Sequence, residues 1–304
     1  MGTERRAPEA DTGTDPVEPE VRAFYHGGHG EPMVLIHGIG GSWRNWLGML
    51  PALEQGHEVL AVGLLGHHPE RAFADGVPPS MGSLVDGVER EMEEAGFEDA
   101  HIVGNSLGGW IALELAKRGR ARTLVLLSPA GGYERRSPTA VLMAVRLLIE
   151  NRIVSHGGAR LESAVRRPRL RRLLLWGAFA RPEQISAYEG LLLLRSFGGA
   201  PSFMALLRAL GRDGPVAGLE DVSVPVMIAW GTRDRVLPSR YFAARLRDGI
   251  PGAEYRELPG LGHVSMVDDP ALVADLVLGF RERHRDSAHA VTNARPAAQA
   301  GPSS

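Results

Sequence analysis

Residues 100–119 read AHIVGNSLGGWIALELAKRG, and the reading of these positions decides the fold. A short apolar run ends at Gly104, a sharp turn follows through Asn105, Ser106, Leu107 and Gly108, and a stretch of helical length and apolar spacing runs from Gly109 to Gly119. This is G-x-S-x-G set between a strand and a helix, the context in which the motif carries chemistry. The glycines answer a crowding problem. Ser106 is expected at a strained backbone conformation on the turn, which leaves no room for β-carbons at Gly104 and Gly108. In that geometry the serine hydroxyl projects from the turn, and the following helix aims its N-terminal amides at the same spot, where they stabilise an anion.

On either side of this unit, short apolar or β-branched runs alternate with helical patterns. Residues 32–37 (PMVLIH), 57–62 (HEVLAV), 100–104, 123–128 (TLVLLS), 224–230 (VPVMIAW) and 253–258 (AEYREL) read as strands, with 21–25 as an antiparallel edge strand before them. Nearly continuous apolar strands are buried on both faces, as in a parallel sheet flanked by helices such as 81–96. The expected class is an open α/β sheet, whose ligands sit beyond the carboxyl ends of the strands.

The turns leaving those strands supply the remaining candidates. Strand 32–37 ends in His37-Gly38-Ile39-Gly40-Gly41-Ser42, a Gly-rich loop whose backbone N–H groups can turn toward a developing oxyanion. The donors expected are the amides of Ile39 and Leu107, with His37, Gly38 and Gly40 supporting the loop; His37 reads as a hydrogen-bonding anchor rather than a base. Asp234 follows strand 224–230 in Gly231-Thr232-Arg233-Asp234, and His263 follows strand 253–258 in Pro259-Gly260-Leu261-Gly262-His263. The chain order Ser106, Asp234, His263 fits a serine whose proton His263 accepts while Asp234 fixes the imidazole tautomer. Asp213, Asp221, Asp248, Asp268 and Asp269 compete, but they stand in polar or helix-capping contexts, the last two just before Pro270. His67 and His68 form a loop pair with no evident third metal ligand, so no metal site is expected. HGIGGS lacks the Lys-Ser/Thr pair of a phosphate-binding loop.

Composition removes other chemistries. The 304 residues contain no Cys, which excludes disulfides, thiolate metal sites and a cysteine nucleophile. A net charge of -2 gives no reason to expect nucleic acid. Residues 1–20 lack the apolar run of a secretory signal and read as a disordered leader, and 286–304 as a disordered tail. With no apolar stretch long enough to span a bilayer, the expected location is the cytoplasm.

Taken together, HGIGGS, GNSLGG, WGTRD and GLGH resemble, in type and order, the α/β-hydrolase superfamily in its serine-nucleophile branch, over about residues 21–283. The resemblance implies eight mostly parallel strands with a helical cap inserted after the sixth, a Ser106–His263–Asp234 triad, an oxyanion hole from Ile39 and Leu107, and no cofactor. Ser106 stands where haloalkane dehalogenases and epoxide hydrolases carry aspartate. One departure is Gly63-Leu64-Leu65-Gly66-His67-His68, where family members often read D-x-P-G-H-G; it bears on the loop's conformation more than on the triad.

The expected organisation is a core over 21–132 and 216–285 with a cap over 133–215. Within the cap, AVLMAVRLLI, RLRRLLLWGAF, AYEGLLLLRSF and PSFMALLRAL are amphipathic or strongly apolar, reading first as cap core. Trp110, Trp176, Phe179, Met204 and Asn45 are the expected pocket residues. Residues 133–181 hold eleven arginines against Glu134, Glu150 and Glu162, a net of +8, whereas the whole chain has one lysine, Lys117. That excess reads as a solvated face, a peripheral contact with an anionic surface or acidic partner, or recognition of an anionic substrate. The leading expectation is an esterase for a small or medium, mainly apolar carboxylic ester. C–C hydrolysis of vinylogous diketones is kept beside it, on the GNS turn and Asn45; so are lactone hydrolysis, a biosynthetic lyase or cyclase step, and a small-molecule receptor that retained the scaffold.

Overall fold

The computed structural model describes residues 23–67 and 72–285. The leader, the tail and His68 therefore lie outside the described residues. The strands are β1 (Tyr25–Gly28), β2 (Glu31–Ile36), β3 (His57–Ala61), β4 (Ala100–Asn105), β5 (Ala121–Leu127), β6 (Val226–Gly231) and β7 (Glu254–Leu258). They lie in the order β1-β3-β2-β4-β5-β6-β7, parallel throughout except for β1 against β3. The antiparallel edge strand starts at Tyr25 instead of ending there. Its four residues are Tyr, His, Gly and Gly, with His26 and Gly28 exposed, so no apolar run marks its bounds.

The helices are α1 (Leu50–Leu53), α2 (Met81–Glu94), α3 (Leu107–Lys117), α4 (Pro138–Val165), α5 (Pro168–Leu175), α6 (Ala187–Gly198), α7 (Phe203–Asp213), α8 (Ser239–Gly249), α9 (Ser265–Asp268) and α10 (Pro270–Arg283). Alternate strand residues feed two cores. Val34, Ile36, Ile102, Leu124 and Ile228 pack with α2, α3 and α8 on one face of the sheet. Met33, Leu35, Val103, Val125 and Met227 pack with α1 and α10 on the other. Each side chain so buried stabilises the fold by roughly 1.5–3 kcal/mol, which is why the strands read as unbroken apolar runs.

Two counts differ from the resemblance. Among the described residues the sheet has seven strands, not eight, and the helical insert α4–α7 leaves after the fifth, not the sixth. The strand it leaves, β5, is nevertheless the one read at 123–128, so the difference lies in the number of strands preceding it. The insert also differs from a closed apolar core. α4 buries only Asn151 and Val165, because Val141, Leu142, Val145, Ile149 and Ile153 are exposed and most of its other apolar side chains are only half-buried. It is interrupted at Gly158, whose φ of 46° breaks the helical path. No single helix among the described residues is long and apolar enough to cross a membrane; α6 and α7 pass that test only as a pair bent by 65°.

Candidate functional site

Strand order builds the site. β2 connects outward to β3, whereas β4, its other neighbour, leads away in the opposite direction, so the crevice between the ends of β2 and β4 is the switch point of the sheet. Ile36 pairs with Gly104, which brings the loop after β2 and the Ser106 turn to one level. Likewise Gly231 pairs with Leu258, so the loops carrying Asp234 and His263 start side by side.

Ser106 sits at φ 55° and ψ −117°, the strained turn expected of its motif. A β-carbon on Gly104 would collide with the Gly108 carbonyl, and one on Gly108 with the Ile36 carbonyl. The Ser106 N–H donates to Leu127 at 3.0 Å, and its carbonyl accepts from Gly109 and Ala130. These bonds hold the strained residue against β5 and the first turn of α3.

His263 Nδ1 lies 2.8 Å from Asp234 Oδ2. The other carboxylate oxygen accepts from the amides of Val236 and Leu237 at 2.9 and 2.8 Å, fixing the acid's orientation. Both residues are buried. With Nδ1 engaged, Nε2 of His263 has no hydrogen-bond partner among the described residues. Ser106 and His263 line one cavity of about 850 Å³, together with Gly38, Ile39, Gly40, Asn45, Leu107, Trp110, Trp176 and Phe179. The backbone N–H groups of Ile39 and Leu107 have no acceptor among the described residues. Most of the wall is apolar and comes from the helical insert.

Other expected residues fall outside this cavity. Met204 does not line it; α7 reaches it one turn later, through Leu207, Leu210 and Gly211. Gly104 and Gly108 lie beneath the turn. His37 is fully buried, its Nδ1 2.8 Å from the Gly38 carbonyl while its Nε2 accepts from the Leu64 amide at 3.1 Å. Burial foremost, and then the neighbouring His67, pushes its pKa down to about 3. A ring held neutral in that way ties two loops together. His67 stacks edge-on against it at 5.1 Å and is likewise buried, away from the cavity. Among the described residues no group of three or more His, Asp or Glu is arranged to hold a metal ion.

Two polar residues acquire roles that the sequence did not signal. Asn105, between the glycine and the serine of the turn, donates its side-chain amide to the carbonyls of Leu127 and His263, each at 3.0 Å. Asp268, read as one of a pair at a helix start, accepts from the amides of Gly262 at 2.7 Å and Ala180 at 3.0 Å; Asp269 alone caps α10, through Leu272. Burial raises the Asp268 pKa, and the amides of Gly262, Ala180 and Arg181 oppose that shift. Beside it, the carbonyl of Ala178 accepts from the N–H groups of both His263 and Val264. The insert is thus fastened directly to the loop that carries the histidine.

Fold and site define an α/β-hydrolase, and residues 33–276 match the model of the alpha/beta hydrolase family. The chain belongs to that family and has its hydrolase character. It is 35% identical over 205 residues to "Epoxide hydrolase EphH" of Mycobacterium tuberculosis, covering 67% of this chain and 95% of that protein. Among solved structures it resembles the meta-cleavage product hydrolase CumD of Pseudomonas fluorescens, with a TM-score of 0.64 at 23% identity over 86% of this chain and 93% of that one. A thermophilic esterase from Thermogutta terrifontis gives a TM-score of 0.68 at 19% identity, over 87% and 93%. At such identities these two likenesses speak for the fold alone.

Proposed function

We propose that the chain is a serine hydrolase cleaving a small or medium, mainly apolar carboxylic ester, with the helical insert as the cap over its site. The observation that carries this reading is one apolar cavity lined by Ser106, by His263 with its Nδ1 on Asp234, and by two backbone amides without acceptors among the described residues. In the first step His263 Nε2 takes the Ser106 proton as Oγ bonds to the ester carbonyl carbon; Asp234 holds the other ring nitrogen protonated and stabilises the imidazolium. The negative charge that appears on the carbonyl oxygen is met by the Ile39 and Leu107 N–H groups, which cost no reorganisation at that moment. Collapse expels the alcohol, which takes the proton from His263. Water, deprotonated by the same ring, then releases the acid and restores Ser106.

The name of the mycobacterial relative raises epoxide opening, and the serine weighs against it. An alkoxide attacking an epoxide carbon would leave an ether on Ser106, which lacks the carbonyl that water attacks to release an ester intermediate. C–C hydrolysis is the second reading. It is favoured by Asn45, a buried polar residue of the cavity wall whose Oδ1 has no partner among the described residues.

Turnover across p-nitrophenyl esters, lactones, an epoxide and a dienoate, with Ser106→Ala as the blank, tests these readings. Ester hydrolysis should fall by about six orders of magnitude in the variant. Undiminished turnover would exclude Ser106 as the nucleophile, and loss of the dienoate chromophore alone would move the assignment to C–C cleavage.

A further inference from the structure

The apolar residues of α4 are arranged unlike those of the other insert helices. Val141, Leu142, Val145, Ile149 and Ile153 are all exposed, Leu142 by 61% and Ile149 by 53%. Their spacing puts them within one third of the helix circumference, so they form a single face. Beside it stand Leu173 of α5, 76% exposed, and the half-exposed Trp176 just past its end, whose ring stacks on the Arg235 guanidinium. Val141, Ile153, Leu173 and Trp176 also line the cavity above Ser106. The outward apolar face is therefore continuous with the wall of the site. A contiguous apolar surface of this kind on a folded domain marks a contact.

Charge identifies the partner. Arg152, Arg166, Arg167, Arg169 and Arg172, on α4, on α5 and between them, are exposed and have no carboxylate within ion-pair distance among the described residues. Arg146 and Arg195 differ, being matched to Glu150 and Glu162. Arg171 differs again: buried, it spends its guanidinium on the carbonyls of Val165, Pro182 and Glu183. A second copy meeting this surface would bring arginine against arginine. Anionic headgroups over acyl chains complement both of its components, since guanidinium groups bond phosphates while the apolar side chains enter the acyl boundary.

We propose that the face formed by α4 and α5 docks the protein peripherally on an anionic lipid bilayer, with the adjoining wall of the cavity turned toward the lipid. Docking is separable from catalysis, so its test reads binding alone.

Co-sedimentation of the full chain is measured with vesicles of phosphatidylcholine and with vesicles of equal parts phosphatidylcholine and phosphatidylglycerol. Binding to the anionic vesicles should exceed that to the neutral ones by about tenfold or more and weaken with salt. Brominated acyl chains should quench Trp176, with Trp176→Phe removing the quenched component. Leu142→Glu with Ile149→Glu, and separately Arg152→Glu with Arg169→Glu, should each lower binding about tenfold while leaving circular dichroism and the thermal midpoint unchanged. Neither pair lines the cavity. Equal binding to both vesicle types, or none, would overturn the proposal. So would a dimer in solution that Leu142→Glu with Ile149→Glu turns into a monomer, since that would assign the face to a second copy.

Discussion

The side-chain amide of Asn105 donates to the backbone carbonyl of His263 at 3.0 Å, across 158 positions of sequence. Its neighbour Ser106 and that histidine are thereby set against each other through one short bridge, which also reaches Leu127. Replacing Asn105 by alanine leaves the buried His263 carbonyl without its donor and removes one of the two donors to Leu127, at a cost of about 1–3 kcal/mol in stability. On the proposed function, kcat should fall about tenfold or more, with KM little changed, because the loss concerns alignment rather than substrate contact. Thermal melts and steady-state kinetics measure both; a variant equal to wild type in each would remove the bridge from the mechanism.

Asp234→Asn keeps an oxygen for the amides of Val236 and Leu237 but no longer fixes the imidazole tautomer. The expected result is a folded protein whose kcat on an ester is lower by about four orders of magnitude. Labelling of Ser106 by a fluorophosphonate should slow in parallel. Rapid labelling in the variant would mean that another group activates the serine.

Asp268 couples the insert to the histidine loop through Ala180 and Gly262. Asp268→Ala should raise amide hydrogen exchange over residues 178–181 and 260–264 together, and reduce kcat about tenfold. Faster exchange in one segment alone would show that the carboxylate serves that segment and not the joint.

Three buried histidines make stability depend on pH. Burial foremost pushes His37 down to about 3, and His67 and His101 to about 4. Each is neutral when folded, while the unfolded chain protonates near 6.5, so below that value the unfolded state binds more protons. Their contribution is complete above about pH 6.5 and is lost as the pH falls through about 4 for His67 and His101 and about 3 for His37, at ~1.4 kcal/mol for each unit of depression. Denaturant midpoints should drop steeply across that window. His101→Gln should flatten the slope, and an unchanged slope would place the acid sensitivity elsewhere.

How far the sequence was legible follows from where information is local. β2, β4 and β6 could be read because both faces of each are covered, which forces unbroken apolar runs. The Ser106 turn could be read because backbone collisions at Gly104 and Gly108 admit only glycine. Asn105 and Asp268 left no comparable mark. Their partners lie far away in sequence or are backbone groups with no side-chain signature. α4 shows a further limit: apolar spacing reveals that a helix has an apolar face, but whether that face is covered depends on elements that spacing does not see.

On the insert's side the joint at Ala178 is made entirely of backbone. One carbonyl receives two amides from the histidine loop, and a carboxylate beside it binds two more. The insert's side chains at this joint are thus free to diverge while its seating on the sheet is preserved. Substrate preference can drift through the insert under selection without disturbing the register of His263. The same joint holds the insert to the sheet at this edge of the site, whatever side chains the rest of the insert carries.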